Sequence, residues 1–143
     1  MNQLSRVQTV FSWLLQLAVA GILLQTLFFK FTGAEESVYI FSTVGQFVQV
    51  PAFEPWGRFA TGFIELIASL MLLFPATVSL GALLTIGMMA GAIASHIVVL
   101  GIDVKGDGGL LFGLALAAFA CSVIILVLRR AQVPVVGRVF QLA

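Results

Sequence analysis

Residues Val7–Phe29 read VQTVFSWLLQLAVAGILLQTLFF, a run without a charged side chain between Arg6 and Lys30. As an α-helix it would be about 35 Å long at ~1.5 Å per residue, enough to cross the ~30 Å hydrocarbon core of a bilayer. Arg6 and Ala18-Val19-Ala20 give its start a likeness to a signal peptide. The apolar run continues past that triplet, which favours an uncleaved first membrane helix. Three more stretches share this character. Phe59 to Phe74 is broken only by Glu65 and follows Pro51 and Pro55, and Pro55 suits a first helical turn. Pro75 marks a short turn. Thr77 to Leu100 is charge-free with His96 near its end, and Gly108 to Leu128 is charge-free up to Arg129-Arg130. The prediction is an all-α fold over 1–143, a single membrane domain. Its four transmembrane helices, about 7–29, 56–74, 77–100 and 108–128, form an antiparallel bundle.

The composition agrees. Of 143 residues, 61% are hydrophobic and 9% charged, with a net charge of +1; soluble domains run at roughly 45–50% and about 25%. A water-soluble fold of this size is excluded, and the lack of a basic run argues against nucleic acid as a partner. One cysteine, Cys121, forbids an intrachain disulfide, and one histidine, His96, forbids a histidine-cluster metal site or bis-histidine haem within one chain. A homo-oligomer would supply two of either. No dinucleotide, P-loop, nucleophile-elbow or zincin motif occurs, so no metal or intrinsic cofactor is expected.

The connection from 31 to 56 is more than a loop. Thr32-Gly33-Ala34-Glu35 has the form of a capping box and Gly45 that of a stop, which predicts an interfacial helix over about 33–44. Val38, Phe41 and Val44 would share its apolar face. The competing reading is a β-hairpin using Phe47-Val48-Gln49-Val50. Arg6, Arg129, Arg130 and Arg138 flank the termini, against Lys30, Arg58 and Lys105 in the first and third loops. The positive-inside rule then predicts both termini in the cytoplasm, and Trp13 and Trp56 would mark the two interfaces. Gly87, Gly91 and Ser95 on the third span, and Gly109, Gly113, Ala117 and Cys121 on the fourth, form small-residue stripes. They predict close packing of those two helices, ahead of a dimerisation motif.

Glu65 is the ionisable residue that belongs to no flank. It lies about 15 Å into the second span, where a charge costs about 3 kcal/mol and turns toward protein or a cavity. Arg58, Thr61, Gly62, Glu65 and Ser69 form one polar helical face. In an antiparallel bundle His96 reaches a similar depth, with Asp103 one heptad further, and Gln25 and Lys30 close the first span on the same side. The expected site is an outward-facing polar cavity lined by Gln25, Lys30, Arg58, Glu65 and His96, with Asp103 at its rim. Glu65 and His96 are its candidate proton-exchanging pair. The bland reading is a buried ionic pair that fixes helix register.

The run Gln25-Thr26-Leu27-Phe28-Phe29-Lys30-Phe31-Thr32-Gly33, the segment Phe63 to Leu73 around Glu65, the late His96 and the Gly108-Gly109 opening of the last span resemble the DoxX-like family of small four-helix membrane proteins. The resemblance covers roughly residues 8 to 130. It implies a bacterial inner-membrane protein, a link to membrane oxidoreductase and quinone systems, and Lys30, Gly33, Glu65 and His96 as positions to test. The leading expectation is an accessory subunit of a quinone-linked redox system, without independent catalytic activity, drawing its electrons from a membrane oxidoreductase partner. A protein that binds or transports a lipid-like or small anionic molecule at Lys30 and Arg58 comes second, and a membrane assembly or structural factor third.

Overall fold

The computed structural model describes residues 4–133, and Arg138, one of the arginines in the topology prediction, lies outside them. The described residues are helical, with no strand. Helix α1 covers Arg6–Thr32, α2 Glu35–Phe47, α3 Arg58–Leu73, α4 Val78–Ser95 and α5 Leu110–Leu128. One wide turn, Phe53–Gly57, leads into α3, and another, His96–Leu100, extends α4. With those turns included, four helices are long and apolar enough to cross a membrane: Arg6–Thr32, Phe53–Leu73, Val78–Leu100 and Leu110–Leu128. The chain is an integral membrane protein whose apolar faces meet lipid.

Helix α1 begins at Ser5, whose side chain accepts from the Gln8 amide while the Gln8 side chain accepts from the Ser5 amide. Gly33 ends it in the left-handed conformation, φ 68°, with its amide on the Phe29 carbonyl. Gly33 is therefore the stop of α1, and the capping box expected for the next helix does not form. Helix α2 starts at Ala34 without a side-chain cap, and Glu35 and Glu36 favour its N-terminal dipole instead. Gly45 lies inside α2, where a Cβ would meet the Phe53 side chain at 2.9 Å. It is small because the following turn folds back against it. Phe41 stacks near Phe53, with centroids 5.6 Å apart, and the hairpin alternative is excluded because 48–52 is a turn.

Helix α1 packs against α3 and α5, and α4 packs against the same two, so α1 and α4 occupy one diagonal of the bundle. Val19, Leu23, Ala68, Leu72, Val78, Ala82, Ala118 and Ile125 have no solvent exposure and form the core. Helix α2 lies across one end, against both wide turns. At the other end Arg129 is buried, its Nε donating to Ser12 Oγ at 2.9 Å, and Gln16 Nε2 donates to the same oxygen at 2.7 Å.

The small-residue stripes do not make the α4–α5 contact. A Cβ at Gly87, Gly91 or Gly113 would find nothing within 4 Å, and Gly113 and Ala117 are exposed. The buried face of α4 is Val78, Ser79, Gly81, Ala82, Thr85 and Met89, and that of α5 is Ala115, Ala118, Ser122 and Ile125. Hydroxyls facing hydrocarbon would be costly, so turning Ser79, Thr85 and Ser122 inward rotates the glycine stripes out of the contact. The close approach is made elsewhere, by Gly81 against Leu72 and Met71 and by Gly62 against Phe31.

Candidate functional site

Between the four spans, in the half of the bundle that α2 covers, lies a cavity of about 580 Å³. Its walls are mostly apolar, with Leu23, Phe29, Met88, Met89 and Leu114 among them. Its polar lining includes Gln25, Thr26 and Lys30 from α1, Thr61 and Glu65 from α3, and His96 from the turn after α4.

Glu65 is 3% exposed. Its Oε1 accepts from Lys30 Nζ at 2.8 Å, joining the last turn of α1 to the second turn of α3. Its Oε2 accepts no hydrogen bond of ordinary geometry among the described residues, although the Thr26 hydroxyl, committed to the Leu23 carbonyl, is a neighbour. The carboxylate is thus paired through one oxygen and buried without a partner through the other. A buried ion pair gains little net stability, yet each partner depends strongly on the other.

His96 is 4% exposed. Its Nδ1 lies 2.8 Å from the Gly101 carbonyl oxygen. A carbonyl only accepts, so Nδ1 carries a proton and donates it to Gly101. Phe112 packs beside the ring at 5.5 Å between centroids. Held this way, the ring has a fixed orientation on the cavity lining.

Two expected members of the site lie elsewhere. Arg58 is buried but does not line the cavity. Its Nε and Nη2 hold the Glu54 carboxylate at 2.9 and 2.8 Å, its Nη1 donates to the Lys30 carbonyl, and its guanidinium lies 4.6 Å from the centre of the Phe59 ring. The sequence placed Arg58 on the Glu65 face correctly, but Glu54, four residues earlier, claims its charge. Arg58 instead clamps the end of α1 to the start of α3, satisfying a carbonyl that the helix end leaves open and holding Lys30 opposite Glu65. Asp103 is exposed and also off the cavity. The heptad extrapolated from His96 fails because the chain leaves the helix at Gly101, φ 79°.

Asp107 takes the place that sequence gave to Asp103. It lines the cavity, and its carboxylate accepts from the Val104, Gly109 and Leu111 amides, each at 2.9 Å. Partial burial works against the charged form, but these bonds and Asp103 outweigh it and hold the carboxyl below its ordinary value. A depressed carboxylate contributes stability above its unfolded pKa and loses it as pH falls through the folded one. Acidification below about pH 4 should therefore loosen the α4–α5 loop. Asp107→Ala should cost about 1–2 kcal/mol at neutral pH, as other lost N-terminal acceptors do. Its thermal melting should converge with that of the unsubstituted protein in acid.

Thr26, Glu36 and Ser37 also line the cavity without having been singled out. Thr26 carries a legible signal, one turn before Lys30 on the same face, whereas Glu36 and Ser37 depend on how α2 folds over the bundle end. Over that end Lys105 pairs with Glu35 and sits 5.4 Å from the Tyr39 ring centre, tying the α4–α5 loop to α2. The pairing lowers the Glu35 pKa and raises that of Lys105. Among the described residues no group of three or more metal-ligating side chains occurs. Set against known proteins, the chain matches no protein-family model, no curated protein and no solved structure.

Proposed function

We propose that this membrane protein binds a neutral, lipid-soluble molecule of the quinone class in the cavity beneath α2, as an accessory subunit of a membrane redox system. The observation that carries the reading is Glu65: a carboxylate buried at membrane depth, held through one oxygen by Lys30 and left unpartnered through the other. A quinol hydroxyl donates to such an oxygen, and a quinone carbonyl accepts from the Lys30 ammonium. The apolar walls suit the ring and its substituents. The chain carries no motif for a flavin, haem or iron–sulfur centre, so electrons come from a partner oxidoreductase. The resemblance to DoxX-like proteins points the same way. On that resemblance and the positive-inside pattern, the protein sits in a bacterial inner membrane with cytoplasmic termini and an outward cavity.

The charge arrangement weighs against an anionic ligand. Of the two cations assigned to a head group, Lys30 is compensated by Glu65 and Arg58 by Glu54, while Glu36 and Asp107 add negative charge to the cavity wall. The test is equilibrium binding of a quinone and its quinol to purified protein in nanodiscs, with analysis of co-purified lipid. Saturable binding at one site per chain is expected, weakened about tenfold or more by Glu65→Gln as a charged hydrogen-bond acceptor is lost. Stoichiometric anionic phospholipid with no quinone binding supports the second reading. An empty cavity beside a single stoichiometric protein partner supports an assembly factor.

A further inference from the structure

We propose that the ligand reaches the cavity sideways from the bilayer, through the cleft between α3 and α4, and leaves its hydrocarbon tail in that cleft. The inference rests on the quinone-class reading and adds the route and the seat of the tail. The two helices are tight at their hairpin and open further along. At Gly81 a Cβ would sit 2.8 Å from the Leu72 amide nitrogen, so the backbones touch there. Two and three turns on, a Cβ at Gly87 or Gly91 would meet nothing within 4 Å. Glycines on a membrane helix ordinarily admit a neighbouring backbone, and these admit none. They leave space on the wall of the cavity, which both line.

A second, shallow depression open to the outside of the bundle lies along the same cleft. Ile64 and Met71 of α3 and Leu80, Leu83 and Leu84 of α4 line it, and it shares Gly87 and Met88 with the cavity. Its lining contains no polar side chain, and Ile64, Leu80 and Leu83 are exposed where the bundle meets lipid. The cavity that Glu65 lines meets this cleft at Gly87 and Met88, so a head group in the cavity has the cleft as a continuous apolar exit. On the opposite side α2 places Ile40, Phe41 and Val44 on the cavity, narrowing the approach from water. An isoprenoid chain partitions into the bilayer and matches a wholly apolar groove. Met88, unbranched and common to both hollows, is the flexible residue at the junction.

The test compares a long-chain isoprenoid quinone, supplied in nanodiscs, with a tailless quinone supplied from water. Gly87→Leu adds bulk where a Cβ has room, and Leu83→Trp fills the cleft at a residue that does not line the cavity. Both should weaken the long-chain quinone about tenfold or more, as burial of a few methylenes is lost, and Leu83→Trp, which stands off the cavity wall, should leave the tailless quinone within about twofold. Glu65→Gln should weaken both ligands alike. If Gly87→Leu fails to fold, Leu83→Trp decides alone. Unchanged long-chain affinity in a folded cleft variant overturns the lateral route and leaves the quinone reading standing. Equal loss of both ligands in Leu83→Trp overturns it as well, because the substitution then acts on the head-group site. Absence of binding by either quinone to the unsubstituted protein overturns the quinone reading itself.

Discussion

Lys30→Met should lower the stability of the bundle by about 3–5 kcal/mol, the range for breaking a buried ion pair from one side. The figure follows from Glu65, whose carboxylate is 3% exposed and, among the described residues, takes its only geometrically regular hydrogen bond from Lys30. Methionine fills much of the lysine volume, so the loss is electrostatic. Glu65→Gln should be milder, because it leaves the ammonium, 14% exposed, within reach of the interface through its flexible stem. The double variant should recover most of the loss, since a neutral pair has no charge to compensate. Denaturant titration of all four proteins in one detergent measures the cycle. A Lys30→Met cost below about 1 kcal/mol, the scale of a solvated pair, would mean that water reaches Glu65 and that the site is not sealed.

This ion pair also marks how far the sequence carries. Glu65 is conspicuous because it interrupts an apolar run, and Lys30 because it ends one, and both were placed on the cavity from spacing alone. The spans were legible for the same reason: lipid requires long charge-free helices, a constraint written residue by residue. The pairing of Lys30 with Glu65 was not legible. It depends on Arg58 gripping Glu54 and the Lys30 carbonyl, which sets the end of α1 against the start of α3. Gly33 misled because a glycine after Thr32 fits either a cap or a stop, and only the path of the following chain distinguishes them. Asp103 and Asp107 differ by one turn of loop, and the left-handed glycines between 101 and 109 remove the helical register that spacing arguments need. Helix faces are partly legible: spacing identifies the polar stripe of α3, whereas Gly87, Gly91 and Gly113, which spacing reads as packing positions, face no neighbour at all. A small residue signals that space is wanted without saying what the space is for.

The glycines of α4 turn that ambiguity into a contrast within one helix. At Gly81 an added Cβ would lie 2.8 Å from the Leu72 nitrogen and 3.0 Å from the Met71 carbonyl carbon. Backbone atoms cannot swing aside as a side-chain end can, so Gly81→Leu must spread the α3–α4 hairpin. The cost should be about 3 kcal/mol or more, at or beyond the upper end of ordinary overpacking. Spreading the hairpin also displaces Leu72 and Ala68, which are fully buried on the same helix as Glu65. Quinone binding should therefore fall together with stability. Gly87→Leu stands six residues further along the same helix, and a Cβ there has open space around it. Leucine is the better helix former by roughly 0.8 kcal/mol, so this variant should melt within about 1 kcal/mol of the unsubstituted protein, and on the stable side if the new side chain finds lipid. Thermal unfolding of the two variants in the same detergent gives the comparison. Equal destabilisation would show that a helix or a second copy closes on Gly87 in the membrane, and the cleft would then be a packing surface and not a passage.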